Sequence, residues 1–221
     1  MKGKGALKFR ERREIPIAIK NEISKRLRKT YRNIKGSITE ITQGMVRKQL
    51  MASNVTQSLL SGKLREDFGL TQTDANRSVQ EIINYVSNNI KVILSPSTKT
   101  EQIAVFTLDL LPMGTAGLKT IPGGSYTSAG KLGGGAVTWL GWLLEKGTTV
   151  VIGDFWVFPD PEGITRAGSV MQKVSKSHPE GFRVDPAFAG TEQDNFVTKA
   201  LQPIIPKIRD IVFQKIKEGL K

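Results

Sequence analysis

Apolar residues return at spacings of three, four or seven from Ile17 onward, where Ile19, Ile23, Leu27, Ile34, Ile38, Ile41 and Met45 trace one stripe. That spacing predicts an amphipathic helix. Lys20, Lys25, Arg26, Arg28, Lys29, Arg32 and Lys35 fill the positions between, so a narrow apolar seam lies under a broad basic face. Gly36 stands inside the pattern and predicts an interruption, giving one kinked helix or a pair. Leu59, Leu60, Leu64 and Phe68 make a second, shorter stripe closed by Gly69. Residues 71–74 then offer capping side chains ahead of Val79, Ile82, Ile83, Val86 and Ile90, which predict a further helix.

Beyond residue 90 the period changes. Val92, Leu94 and then residues 103–110 are β-branched and apolar around a turn-forming stretch at 95–100, the pattern of two strands and a hairpin connection. Residues 112–136 carry eight glycines together with Pro112 and Pro122; a loop of that length inside a domain is usually functional or disordered. Residues 137–146 read as a short apolar helix holding Trp139 and Trp142, with Gly147 as its stop. Residues 148–158 read as strand, and residues 181–184 as the start of another. Phe196, Val197, Ala200, Leu201, Ile204, Ile208, Ile211, Val212 and Ile216 return to helical spacing, with Pro203 and Pro206 predicting a kink or an early restart. Residues 1–16 have no apolar periodicity and read as a basic arm ordered by contact with something else.

Composition narrows this picture. With 38% apolar residues in 221, the chain can build one good core, or one domain with a substantial extension. Its longest mainly apolar stretch, residues 137–144, is far below the roughly 20 residues that span a bilayer. The basic N-terminus is followed by no apolar signal region, so synthesis and retention in a cytoplasm, with no membrane partner, are expected. Cysteine is absent and His178 is the single histidine, which excludes disulfides, thiol catalysis and the common zinc sites. No metal or cofactor is expected.

The formal charge of +13 is unevenly placed. Residues 1–63 hold 16 Lys or Arg against 4 Asp or Glu, whereas residues 64–221 hold 17 against 16. Such a block suits an acidic partner, whether nucleic acid, an acidic protein surface or anionic lipid, or else a solvated face kept soluble by like charge. Lys8, Arg10, Arg12, Arg13, Lys25, Arg26, Arg28, Lys29 and Arg32 are the candidate partner- or DNA-binding residues.

Catalytic chemistry finds little support. A phosphate-binding loop needs four residues between its first glycine and the Gly-Lys pair, then Ser or Thr for magnesium; here five residues stand between Gly124 and Gly130, and Leu132 follows Lys131. His178 has no placed nucleophile or orienting carboxylate. Asp154, Asp160, Glu162, Asp185, Glu192 and Asp194 lack metal-loop spacing and suit caps and turns. Trp139, Trp142, Phe155, Trp156 and Phe158 form the densest aromatic cluster, which reads as core or as subunit interface.

Residues 183–191 (RVDPAFAGT) followed by residues 194–200 (DNFVTKA) resemble the aromatic-Arg-Val-Pro-Pro-Glu-Phe-Ala-Gly-Thr and Asp-Asn-Phe-Ile-Thr-Arg-Ala stretches of the neck and tail-completion proteins of long-tailed bacteriophages. Residues 59–70 (LLSGKLREDFGL), 139–147 (WLGWLLEKG) and 166–171 (RAGSVM) are similar to other stretches of that family. Asp185 stands where a proline is common, and Ala187 where a glutamate is common. Residues 1–58 lie outside the resemblance.

What the resemblance implies is a small domain with a twisted sheet and flanking helices, a homo-oligomeric ring (hexamer or dodecamer) on the virion axis, and no catalytic residues. Neighbouring neck, adaptor or portal, and tail-terminator proteins are the implied partners, with DNA in the channel. The expected fold is α+β: a helical N-terminal region, a central twisted mixed or antiparallel sheet, and a C-terminal helix packed on it. Residues 1–58 are expected to form a basic arm and helices, and residues 59–221 the neck-like domain with the glycine-rich loop at 112–136. Trp139, Trp142, Lys131, Arg183 and Phe188 are the expected subunit-interface residues. The expected function is structural and non-enzymatic, joining tail to head; the alternative is nonspecific nucleic-acid binding through the basic region.

Overall fold

The computed structural model describes residues 2–8, 17–96, 102–110, 114–127, 136–153, 155–159, 168–173 and 181–220. Strand β1 (Lys2–Lys8) is followed by helices α1 (Ile17–Met51), α2 (Asn54–Ser61), α3 (Lys63–Asp67) and α4 (Gln72–Asn88), then by β2 (Lys91–Pro96) and β3 (Gln102–Asp109). Next come α5 (Gly114–Leu118), a 3-10 turn (Pro122–Gly124), β4 (Tyr126–Thr127), β5 (Ala136–Val137) and α6 (Trp139–Glu145). The chain continues through β6 (Val150–Ile152), β7 (Phe155–Pro159), β8 (Ser169–Lys173) and β9 (Phe182–Arg183) to α7 (Phe196–Leu201) and α8 (Ile205–Gly219). The fold is α+β. Its described strands form four small antiparallel sheets rather than one central sheet, ordered β1-β3-β2, β4-β5, β6-β9 and β7-β8.

Two compact units share the chain. Unit one is Met1–Arg47, Val86–Pro112 and Leu201–Lys221; unit two is Lys48–Tyr85 and Met113–Ala200. Each is discontinuous in sequence, and position 58/59 falls inside α2.

In unit one, α1 runs unbroken through Gly36 and Gly44, correcting the predicted interruption. A glycine inside a helix costs only about 1 kcal/mol relative to alanine. Leu27, Tyr31, Ile38 and Val46 are buried on either side of Gly36, and each such burial is worth roughly 1.5–3 kcal/mol, so the stripe outweighs the glycine. The Tyr31 hydroxyl donates to the Val92 carbonyl on β2, and burial raises its pKa. The Thr30 hydroxyl donates to the Gly219 carbonyl at 3.1 Å, tying α1 to the end of α8. Ile208, Val212 and Ile216 line the buried face of α8. The break at Pro203 and Pro206 is present as a 3-10 turn, Gln202–Ile204, before α8 begins.

The start of the expected arm is a strand. β1 pairs with β3 from Lys2 opposite Asp109 to Lys8 opposite Gln102, leaving β3 in the middle of its sheet. A ladder is built from backbone donors and acceptors, so it needs no apolar periodicity. Lys2, Lys4 and Lys8 put three lysines on the strand that forms the sheet edge, a composition that discourages edge-to-edge pairing between molecules.

Unit two is organised around Leu59, Leu64, Phe68, Trp139, Leu140, Leu143 and Leu144, all essentially buried. Its helices are locally well specified. Ser53 Oγ accepts from the Thr56 N–H at the start of α2. Thr71 Oγ accepts from the Asp74 N–H and donates to the Asp74 carboxylate at the start of α4. Asn195, itself fully buried, accepts from the Val197 and Thr198 N–H groups at the start of α7.

Residues 114–127 of the glycine-rich segment form α5, a 3-10 turn and β4 with buried positions in this core, which corrects their reading as part of one long loop. Gly123 donates its N–H to Glu81 at 2.6 Å, and its carbonyl accepts from Ser78 Oγ and Trp139 Nε1. Residues 128–135 lie outside the described residues. A Cβ on Gly123 would stand 2.8 Å from the Ser78 Cα and from the Glu81 carboxylate. Gly123→Ala is therefore expected to lower stability by about 1–3 kcal/mol through overpacking, seen as a lower urea midpoint. A midpoint equal to that of the natural chain would show that the α4 contact relaxes freely.

Candidate interaction surfaces

The basic face of α1 is the first candidate. Lys25, Arg28, Lys29, Arg32 and Lys35 are all exposed and fall at i, i+3, i+4, i+7 and i+10, so they share one side of the helix, opposite the buried Leu27, Tyr31 and Ile38. They span about 15 Å at 1.5 Å per residue. None of the five side chains makes a hydrogen bond or ion pair among the described residues. Arg26 is paired with Glu22 at 3.2 Å. From Ile23 to Thr39 there is no acidic residue, and Glu22 is the acidic side chain beside the stripe.

Charge follows the units. Unit two holds 12 Lys or Arg and 12 Asp or Glu, so the full excess of +13 belongs to unit one. Of the remaining predicted contact residues, Lys8 lies in β1 with its side chain outside the described residues, as are Arg10, Arg12 and Arg13 entirely.

The expected interface aromatics separate. Trp139 is 0% exposed, stacks on Phe68 at 5.3 Å with a 34° tilt and satisfies its N–H on Gly123; its side chain is core and is not available to a neighbouring subunit. Trp142 is half-buried and leans on Phe182 at 6.1 Å. Arg183 and Phe188 are half-buried, and Lys131 lies outside the described residues.

A second candidate has no counterpart in the sequence pattern. In unit two, a cavity of about 280 Å³ is walled by Trp156 and Val157 of β7, Phe182 and Arg183 of β9, Asp185 and Pro186 of the following turn, and Lys63 and Asp67 of α3. Lys63 donates to the Asp185 carboxylate at 2.7 Å. That bond raises the Lys63 pKa and is the main reason Asp185 lies below the usual carboxylate range, helped by the Ala187 N–H donating to it at 2.9 Å. Asp185 is thus the turn former its position predicted, with a distant lysine added. Asp67 differs: its carboxylate makes no hydrogen bond or ion pair among the described residues, and burial pushes its pKa up to about 6 against the partial pull of Lys63.

Among the described residues no group of carboxylates or histidine could hold a metal ion, and no helix is long and apolar enough to cross a membrane. No family model, curated protein or solved structure matches the chain at significant similarity.

Proposed function

We propose that the chain is a structural, non-catalytic virion subunit of a tailed phage, forming a ring at the neck that joins tail to head around the DNA channel. One observation carries this reading: the stretches that resemble neck proteins pack on one another. Residues 59–70, 139–147, 168–171 and 183–200 all belong to unit two. Lys63 pairs with Asp185, the Gly147 N–H donates to the Gly190 carbonyl at 2.8 Å, Ser169 Oγ donates to the Glu66 carbonyl, and Phe68 meets both Trp139 and Phe182. Chance similarities have no reason to converge on one core, whereas the signature of a module does.

Purified protein is expected to form rings, seen by negative-stain microscopy with a matching mass in solution, and to decorate one end of isolated tails or the vertex of DNA-filled heads. A monomer that decorates neither sinks the reading. The second reading, nonspecific nucleic-acid binding, is favoured by the confinement of +13 to unit one and the unpaired α1 stripe. A persistent monomer that binds duplex DNA with steep salt dependence would select it.

A further inference from the structure

We propose that the cavity between α3, β7 and β9 receives a basic side chain, a guanidinium or an ammonium, from α1 of a neighbouring copy of this chain. The proposal rests on the ring reading and adds the contact that would close the ring.

Three observations lead to it. The Asp67 carboxylate is partly withdrawn from water with no hydrogen-bond donor among the described residues, while Lys63, whose charge pulls on it, is committed to Asp185. Burying a carboxylate without a partner is costly, and an entering cation removes that cost. The cavity walls suit such a guest: the indole of Trp156, 37% exposed, and the ring of Phe182 offer aromatic surface. A flat guanidinium stacks on aromatic surface while its N–H groups reach a carboxylate. Finally, the donor is present on the same chain. Unit one carries +13 and five unpaired α1 cations, while unit two is neutral overall with one unpaired carboxylate in a cavity. A surface that complements a different surface of the same molecule makes a head-to-tail contact, the kind that closes into rings.

The contact has a defined pH dependence. The charged groups facing Asp67 are Lys63 and Glu66 of α3, Asp185 of the turn and Arg183 of β9; the described wall of β7 contributes none. Asp185 is held ionised by Lys63, so Asp67 is the group that changes near pH 6. Its folded pKa is raised above the ordinary 3.8, so the folded state holds this proton more tightly than the unfolded chain. The stability cost of its charge is therefore absent below about pH 4 and complete above about pH 6. Asp67→Asn should accordingly raise Tm at pH 8 and leave it nearly unchanged at pH 4, a gain that a residue kept for its native contacts would not give.

The test titrates N-acetyl-arginine amide into the full chain carrying Lys25→Gln, Arg28→Gln, Lys29→Gln, Arg32→Gln and Lys35→Gln, whose cavity has then lost its α1 donor, following Trp fluorescence and NMR shifts, beside its uncharged citrulline analogue. Saturable uptake at pH 8, at least tenfold weaker at pH 5 and in Asp67→Asn and absent for citrulline, is expected. Uptake that is absent from this donor-free chain, or unchanged when Asp67→Asn is added to it, overturns the proposal. In parallel, the assembly mass of the natural chain and of Asp67→Asn is measured at pH 8. Rings lost in the variant support the contact, and rings formed equally by both overturn it while the neck reading stands. Probe uptake by a wild-type monomer overturns the neighbouring copy as donor together with the ring reading.

Discussion

Trp139→Ala is expected to lower the stability of the protein by about 3–5 kcal/mol, the range for removing a large buried aromatic from a packed core. Trp139 is wholly enclosed. Its ring lies 5.3 Å from Phe68, which in turn meets Phe182 at 6.5 Å, so one indole joins α6 to the end of α3 and to β9. Its N–H holds the Gly123 carbonyl, which Ser78 also holds; the substitution thus leaves no orphaned acceptor, and the loss comes from the void. Trp142, half-buried at the edge of the same cluster, supplies the internal comparison, and Trp142→Ala should cost clearly less. Against a total of roughly 5–15 kcal/mol for a typical domain, the Trp139 loss would move a urea midpoint by a large fraction of its value. A Trp139→Ala loss below about 1 kcal/mol would remove Trp139 from the core.

The contrast between the two tryptophans shows what the sequence could and could not tell. The helices α1 and α4, the β2–β3 pair, the stop at Gly147 and the break before α8 were legible, because each follows from local periodicity or from Gly and Pro chemistry, whereas Trp139 and Trp142 meet Phe68 and Phe182 rather than the β7 aromatics beside them in sequence. Core and surface tryptophans look alike until the face of α6 that meets Phe68 is fixed, and that depends on residues 71 positions away. β1 was hidden because Lys and Gly in a seven-residue segment carry no inside-outside alternation, and its partner begins at Gln102. β8 went unread for the same reason: Ser169–Lys173 finds its strand character only opposite β7. The cavity is the least legible feature. Lys63 and Asp185 are 122 residues apart, and nothing in residues 63–67 says that Asp67 loses water while Glu66 keeps it. Burial creates that difference, and burial belongs to the folded unit.

The α1 stripe was legible as charge, and its consequence can be measured. If Lys25, Arg28, Lys29, Arg32 and Lys35 each meet a DNA phosphate, the logarithm of affinity should fall with the logarithm of salt at about −0.9 per contact, a slope near −4.5 and a loss of about 500-fold between 50 and 200 mM. The combined substitutions Lys25→Gln, Arg28→Gln, Lys29→Gln and Arg32→Gln should then leave a slope near −0.9 from these positions and weaken binding at low salt by roughly a hundredfold or more. Stability should change little, since all four side chains are exposed and unpaired among the described residues. Fluorescence anisotropy with an arbitrary 30-base-pair duplex gives affinity and slope together, and thermal unfolding checks the fold. The sequence of the duplex should not matter, because phosphate contacts carry no base information. An unchanged slope in the variant would free α1 from the DNA and leave its five unpaired cations available to an acidic protein surface such as the Asp67 cavity of the next copy.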